Sequence, residues 1–208
     1  MRILIAANHA VVRAGYRQFL ESGTVASDIG EIKCTVKGFH AIRDEHWHLV
    51  LLDLCWPVCT GLDLLAHLSN MPRGPRILVI SDLPERQFAP QILKLGATGF
   101  LSKGSGRSEL LRAVQRVLTG ERYASSSLAE HLTGACDTKT RPIHERLSSR
   151  EFLIFCKLAA GGNIGQIARD LRWSPRAVAG HRKNILAKMC FIADADLTIY
   201  AMRHGLIG

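Results

Sequence analysis

The sequence predicts two domains: a doubly wound α/β domain with a five-stranded parallel sheet, followed by a smaller all-α domain. In the first 121 residues, short apolar runs alternate with amphipathic stretches. That alternation is typical of βαβ units, in which helices cover both faces of a parallel sheet. From residue 146 onward, apolar residues follow only a helical period. We expect the first domain to span residues 1–121, a linker 122–145 and the second domain 146–208.

The strands and helices of the first domain are predicted from the spacing of apolar residues. The expected strands are Ile3–Ala7, Glu31–Val36, Leu49–Asp53, Ile77–Ser81 and Gly99–Ser102. The expected helices are Val11–Leu20, Gly61–Leu68, Arg86–Leu95 and Ser108–Leu118. Glu31–Val36 alternates apolar and polar residues more than the others do, so we place it at the edge of the sheet. The linker is predicted from its many Ser, Thr, Gly and Pro residues. We expect one short helix within it, near Leu128–Leu132.

Four helices are predicted in the second domain from their start and stop signals. Ser148 precedes Glu151 by three residues, which is the spacing of a capping box. Asn163 caps the next helix, and Ser174 with Pro175 begins the third. A last helix covers Ala193–Arg203. Four short helices joined by tight turns favour a helix-turn-helix arrangement.

Charge and composition narrow the class of protein. The 208 residues carry a net charge of +9, and residues 139–208 contain 12 Lys and Arg against five Asp and Glu. This excess in the last third is expected of a surface that neutralises phosphates. No apolar run has membrane length and no signal peptide is evident, so we expect a cytoplasmic protein that does not interact with membranes. No nucleophile–base pair or phosphate-binding glycine loop is visible, and the prediction is that the protein is not an enzyme.

The second domain is similar to a LuxR-type helix-turn-helix from end to end. The resemblance rests on spaced residues along the whole domain: Leu147-Ser-x-Arg-Glu151, Leu158-Ala-Ala-Gly-Gly162, Ile167-Ala168, Ser174-Pro-Arg-Ala-Val178, His181-Arg182, Ile185-Leu186, Lys188, Tyr200-Ala201 and Gly205-Leu206-Ile207. The first domain resembles a receiver, which has a flavodoxin-like fold. The whole chain therefore resembles a response regulator of the NarL/FixJ family.

The receiver resemblance assigns roles to four residues. It implies that Asp53 is the phosphoacceptor carboxylate and that Ser81 supplies the hydroxyl that bonds the phosphoryl group. It makes Lys103 the cationic partner and Phe100 the aromatic side chain that rotates on activation. These positions follow the carboxyl ends of parallel strands, where ligands of such sheets bind.

One position departs from the receiver pattern. The family carries two adjacent acidic residues after the first strand, and this chain has Ala7-Asn8. Mg²⁺ prefers carboxylate oxygens, and phosphoryl transfer in a receiver needs the ion. With Asp53 as the obvious carboxylate and Asn8 as a neutral ligand, we expect Mg²⁺ binding to be weak or absent, and we predict no other cofactor. Asp82 is expected to point away from the pocket, because its neighbour Ser81 points inward.

The resemblance identifies Pro175–Lys188 as the recognition helix of a protein that binds double-stranded DNA as a homodimer. Its predicted DNA-facing residues are Ser174, Arg176, Ala179, Gly180, His181, Arg182, Lys183 and Lys188. Of these, Arg182, Lys183 and Lys188 are expected to reach phosphates, whereas His181 either bonds a phosphate or packs. Ala179 and Gly180 stand where the family often has longer side chains. Either base contacts are fewer or the backbone approaches the groove more closely, and with either outcome the family's usual site preference is not expected here.

Three functions are compatible with these residues. The first is a DNA-binding transcription regulator that works largely without phosphorylation, with Asp53 as a vestigial phosphoacceptor. The second is a conventional response regulator switched when a histidine kinase phosphorylates Asp53. The third is an interaction partner of another regulator that has lost DNA binding through Ala179 and Gly180.

Overall fold

The computed structural model describes residues 1–23, 27–33, 42, 45–54, 58–83, 85–125, 142–171 and 173–207, without the side chains of 58–60 and 86–87. Its first domain is built on a five-stranded parallel sheet in the order β2-β1-β3-β4-β5. The strands are β1 (Arg2–Ala6), β2 (Asp28–Ile32), β3 (Leu49–Leu54), β4 (Arg76–Ser81) and β5 (Gly99–Ser102). This confirms the predicted fold class.

Helices cover both faces of the sheet. They are α1 (Ala10–Glu21), α2 (Val58–Ser69), α3 (Glu85–Lys94) and α4 (Arg107–Thr119). Buried residues of α1 and α4, such as Leu20 and Val114, pack on one face. Leu65 of α2 and Phe88 of α3 pack on the other. Because both faces are covered, β3 is buried along its whole length.

The second strand begins three residues before the start that its sequence pattern predicts. Its pairing with β1 sets the start, since Asp28 lies opposite Arg2 and Ile32 opposite Ala6. The guanidinium of Arg2 also bonds Asp28, with Nε 2.8 Å from Oδ2. The predicted range Glu31–Val36 is therefore wrong at its start, and positions 34–36 lie outside the described residues. The edge position of this strand is confirmed.

The second domain is helical and follows the predicted caps. A 3₁₀ helix, Ile143–Arg146, precedes α5 (Ser149–Ala159), α6 (Ile164–Leu171), α7 (Pro175–Met189) and α8 (Asp194–Arg203). Ser148 forms a capping box with Glu151. Asn163 Oδ1 accepts from the Gln166 amide at 2.9 Å, and Ser174 Oγ accepts from the Ala177 amide at 3.2 Å. These bonds satisfy amide donors that each helix start would otherwise leave unpaired.

The helical domain packs on the receiver-like domain through α5 and the 3₁₀ helix. Phe152 meets Phe88 edge to face, with ring centroids 6.1 Å apart. Gln91 is fully buried, and its Nε2 lies 3.2–3.4 Å from the carbonyl oxygens of residues 144, 145 and 147. Lys157 Nζ lies 2.8 Å from Asp63 Oδ2. The recognition helix α7 takes no part in these contacts, which leaves its outer face open.

The predicted linker contains few described residues. The 3₁₀ helix begins at Ile143, within the predicted 122–145 segment, and the expected helix near Leu128–Leu132 lies outside the described residues. The three domain boundaries therefore stay predictions. In the part of the chain that the structure describes, no helix is long and apolar enough to cross a membrane.

Candidate phosphoacceptor pocket and nucleic-acid interface

Asp53 and Lys103 meet at the carboxyl end of the sheet. Asp53 is the penultimate residue of β3, and its side chain is fully buried. Lys103 follows β5, and its Nζ lies 2.7 Å from Asp53 Oδ1. Parallel pairing of β3, β4 and β5 brings these residues together, because the three strands end at the same edge. The pocket thus holds a buried carboxylate that is neutralised by the protein's own cation.

Asp82 also faces this pocket, so the prediction that it points away is wrong. Its Oδ2 lies 3.3 Å from Lys103 Nζ, although three quarters of its side chain is exposed. The prediction relied on strand alternation, but β4 ends at Ser81 and the chain turns there. Burial alone would lower the pKa of Lys103, and the bonds to Asp53 and Asp82 outweigh burial and raise it.

Ser81 and Phe100 lie beside the two charged residues. Ser81 is buried, and its hydroxyl donates to the Leu54 carbonyl at 2.8 Å and accepts from the Leu83 amide at 3.1 Å. It therefore ties the end of β3 to the turn before α3. Phe100 is completely buried on the sheet face that α2 and α3 cover. The structure places both residues where the resemblance implies, and their roles in signalling stay predictions.

Arg13 lies on α1, and its side chain reaches the backbone that follows β1, where the resemblance places an acidic pair. Its Nη1 donates to the carbonyls of Ala7 and Asn8 at 2.8 and 3.2 Å. Its Nε pairs with Glu31 at 3.3 Å. A guanidinium therefore already occupies the backbone acceptors at this position. The sequence pattern does not single out Arg13, because only the fold brings its guanidinium to these carbonyls.

The residues of this pocket do not fit Mg²⁺ well. The ion favours several carboxylate or carbonyl oxygens, each with lone pairs turned toward it. Here Asp53 and Asp82 both bond Lys103, and the backbone carbonyl of Asn8 accepts from Arg13. Among the described residues, no group of three or more His, Cys, Asp or Glu is arranged to hold a metal ion. A divalent cation would have to compete with two resident cations.

Tyr16 is a further residue of the pocket that the sequence did not indicate. It projects from α1, and its burial, with the charges of Asp53 and Asp82, raises its pKa. The phenol consequently stays protonated. Its position on α1 carries no local signal, since only the packing of α1 on the sheet brings it here.

The outer face of α7 presents four of the predicted DNA-facing residues. Arg176, Ala179, Gly180 and Lys183 are all exposed. Among the described residues, neither Arg176 nor Lys183 has a carboxylate within 4 Å. Ser174 is exposed at the helix start, where it forms the cap. Arg176 and Lys183 therefore lie on either side of a surface where Ala179 and Gly180 present almost no side chain.

Two other residues that were predicted to contact phosphates instead form ion pairs within the helical domain. Arg182 Nε bonds both carboxylate oxygens of Asp194, at 2.8 and 2.9 Å. Lys188 Nζ lies 2.7 Å from Glu151 Oε2. His181 packs against Trp173, with ring centroids 5.5 Å apart. Sequence reasoning grouped these residues with Lys183, because a basic helix pattern does not reveal which cations have partners on neighbouring helices.

Both halves of the chain match known family models. Residues 3–115 match the response regulator receiver domain, and residues 145–201 match the bacterial regulatory proteins of the luxR family. The chain is similar over 99% of its length to the response regulator UvrY of Escherichia coli, with 29% identity over 95% of that protein. A putative transcriptional regulator of Pseudomonas aeruginosa is 30% identical, over 99% of each chain.

The fold is also similar to solved structures. RcsB of Salmonella enterica serovar Typhimurium, bound to the promoter rprA in the presence of a phosphomimetic, matches with a TM-score of 0.73. The match covers 96% of this chain and 97% of RcsB at 21% identity. At that identity the likeness supports the two-domain fold.

Proposed function

The chain belongs to the response regulators that join a receiver domain to a luxR-type helix-turn-helix, and from this premise we propose that it regulates transcription by binding duplex DNA as a homodimer. The observation that carries the proposal is the open face of α7, where Arg176 and Lys183 are exposed without carboxylate partners in the described chain. When such cations bind DNA phosphates, counterions condensed on the DNA are released, and this release favours binding. A cytoplasmic location belongs to the same proposal.

The packing of the two domains supports this assignment. The helical domain contacts the receiver through Phe152 and Lys157 of α5, and these contacts leave α7 uncovered. DNA therefore does not have to displace the receiver from the recognition helix. The dimer follows from the two-fold symmetry of paired half-sites, each of which takes one recognition helix. The relative RcsB has been solved as dimers on DNA, which favours the same assembly here.

We further propose that the regulator works largely without phosphorylation of Asp53. Lys103 neutralises Asp53 within the protein, and Ala7-Asn8 removes the carboxylates on which Mg²⁺ would depend. Without the ion, charge on a transferring phosphoryl group is left uncompensated. The receiver then serves as a dimerisation or docking platform that bears the helical domain. A second regulator, rather than a histidine kinase, is the partner that this mechanism favours.

A conventional phosphorylation switch is the second candidate. It is favoured by the convergence of Asp53, Ser81 and Lys103 at one edge of the sheet. The two mechanisms differ in what Mg²⁺ with acetyl phosphate does to the protein. We expect no stoichiometric adduct by intact mass, and we expect Asp53→Asn to bind DNA within twofold of wild type. An adduct at Asp53 that tightens DNA binding would establish the conventional switch instead.

The DNA-binding proposal is tested with Lys183→Gln and Arg182→Gln, which remove one positive charge each from α7. Anisotropy of a labelled duplex should show that Lys183→Gln reduces the slope of log affinity against log salt by about 0.9 per protomer. Arg182→Gln should mainly destabilise the domain, because its guanidinium is committed to Asp194. Undetectable binding by wild type would favour an interaction partner that does not bind DNA.

A further inference from the structure

Three side chains form a stack beside the recognition helix. Arg150 projects from the first turn of α5, Trp173 lies in the turn between α6 and α7, and His181 belongs to α7. The guanidinium carbon of Arg150 lies 5.8 Å from the centre of the Trp173 ring. The Trp173 and His181 rings are 5.5 Å apart and inclined by 37°. The Trp173 indole therefore contacts both the Arg150 guanidinium and the His181 imidazole.

The charge of Arg150 is not neutralised within the described part of the chain, where no carboxylate lies within 4 Å of it. The neighbouring carboxylate, Glu151, is already bonded to Lys188 at 2.7 Å. Arg150 is exposed, whereas Trp173 and His181 are partly buried. The indole face attracts the guanidinium and limits its freedom without neutralising it. Arg150 is thus a positioned cation that remains available to an anion.

Helix geometry places this stack at the flank of the proposed DNA-reading face. The exposed stripe of α7 runs through Arg176, Gly180 and Lys183, which follow one another at spacings of four and three residues. His181 lies about 100° around the helix from Gly180. A helix that enters the major groove has its outer stripe against the bases and its flanks toward the phosphate walls.

We propose that Arg150 is an additional DNA-phosphate contact outside the recognition helix, and that Trp173 is the residue that positions it. The inference rests on the proposed DNA-binding function and extends it to a residue on α5. The ligand class is the phosphodiester backbone, so the contact adds affinity without base preference. His181 packs against the indole and so links Trp173 to α7.

The test measures binding of a labelled duplex of random sequence across a salt series. Arg150→Gln should weaken binding about fivefold at physiological salt and reduce the salt slope by about 0.9 per protomer. Arg112→Gln is the matched control, because it removes the same charge from the exposed surface of α4, on the opposite face of the receiver sheet. It should leave both affinity and slope unchanged.

Two Trp173 variants separate positioning from charge. Trp173→Leu keeps every cation but removes the aromatic face, and we expect it to weaken binding about threefold at low salt. Trp173→Phe retains a ring and should restore most of that loss. If the leucine variant is unstable by thermal melting, the comparison of Arg150→Gln with Arg112→Gln decides the question alone.

Failure of this inference differs from failure of the proposed function. If Arg176→Gln reduces the salt slope while Arg150→Gln matches wild type, α7 binds DNA and Arg150 does not. If wild type shows no detectable binding to duplex, the DNA-binding proposal itself is wrong. Equal effects of Arg150→Gln and Arg112→Gln would also overturn the inference, since they would indicate a general effect of net charge.

Discussion

In the receiver pocket Lys103 is bonded to two carboxylates, whereas on α7 Arg176 and Lys183 are exposed without such partners in the described chain. Both regions carry cations for which a phosphate group is a proposed partner. The first set is neutralised by the protein itself, and the second set is left for a partner. A cation bonded to a buried carboxylate gains little from an incoming anion, while an exposed one gains from released counterions. Two sites with matching residue types can therefore differ in how strongly their cations attract an anionic ligand.

Among the variants that test this comparison, Lys103→Met should have the largest effect. It leaves the fully buried Asp53 without its cation, and we expect the free energy of unfolding to fall by about 3 kcal/mol. Arg112→Met, on the exposed surface of α4, should change it by less than about 0.5 kcal/mol. Urea unfolding measures both. If Lys103→Met lowers the free energy of unfolding as little as Arg112→Met does, Lys103 does not form a stabilising ion pair with Asp53.

A second buried cation, Lys157, lies between the two domains and extends the comparison. Its side chain is 7% exposed, and its Nζ lies 2.8 Å from Asp63 and 3.1 Å from Asp170. Burial alone would lower the pKa of Lys157, but the two carboxylates outweigh burial and raise it. We expect Lys157→Met to cost about 2 kcal/mol, less than Lys103→Met, because Asp63 is partly exposed.

The measurement for Lys157 is a double-mutant cycle with Asp63→Asn, followed by urea unfolding. The pair joins α5 to α2, so the two substitutions should show coupling rather than simple addition. Strict additivity would indicate that the domains are not held together by this ion pair in solution.

A smaller effect is expected from pH at the Glu151–Lys188 pair. Burial alone would raise the pKa of Glu151, but the bonds from Lys188 and Ser148 outweigh burial and lower it. The stability that this carboxylate contributes is therefore present above its unfolded pKa of about 4.3 and is lost as pH falls through the lower folded value. Between pH 6 and pH 3, wild type should lose more unfolding free energy than Glu151→Gln. Parallel curves for the two proteins would contradict the assignment.

The smallest expected effect comes from Gly180. A Cβ added there meets no atom within 4 Å, and the residue is inside a regular helix. Gly180→Ala should stabilise the protein by about 0.5–1 kcal/mol. Gly161 has equal space but a φ of +85°, so Gly161→Ala should destabilise it instead. Thermal unfolding of the two variants measures the contrast. A loss of stability in Gly180→Ala would show that α7 requires glycine for its own fold.

The order of the elements and most of their positions follow from local patterns in the sequence. The buried strands are contiguous apolar runs, and β5 has the range that its residues predict. The helix starts at Ser148 and Ser174 follow from side chains that bond amides three residues away. Such signals are local, because both partners lie within one turn of chain and need no other part of the fold.

Which charged side chains form ion pairs depends on how distant parts of the chain pack together. Lys103 and Asp53 are 50 positions apart in the chain, and Lys157 and Asp63 are 94 apart. Asp82 turns toward Lys103 because β4 has ended, and Lys188 is committed because α5 brings Glu151 beside it. A sequence pattern reports the face on which a cation lies, but the nearest carboxylate depends on how distant elements pack. For this reason the resemblance predicted both sites, and the packing distinguished the one that is internally neutralised from the one that is open.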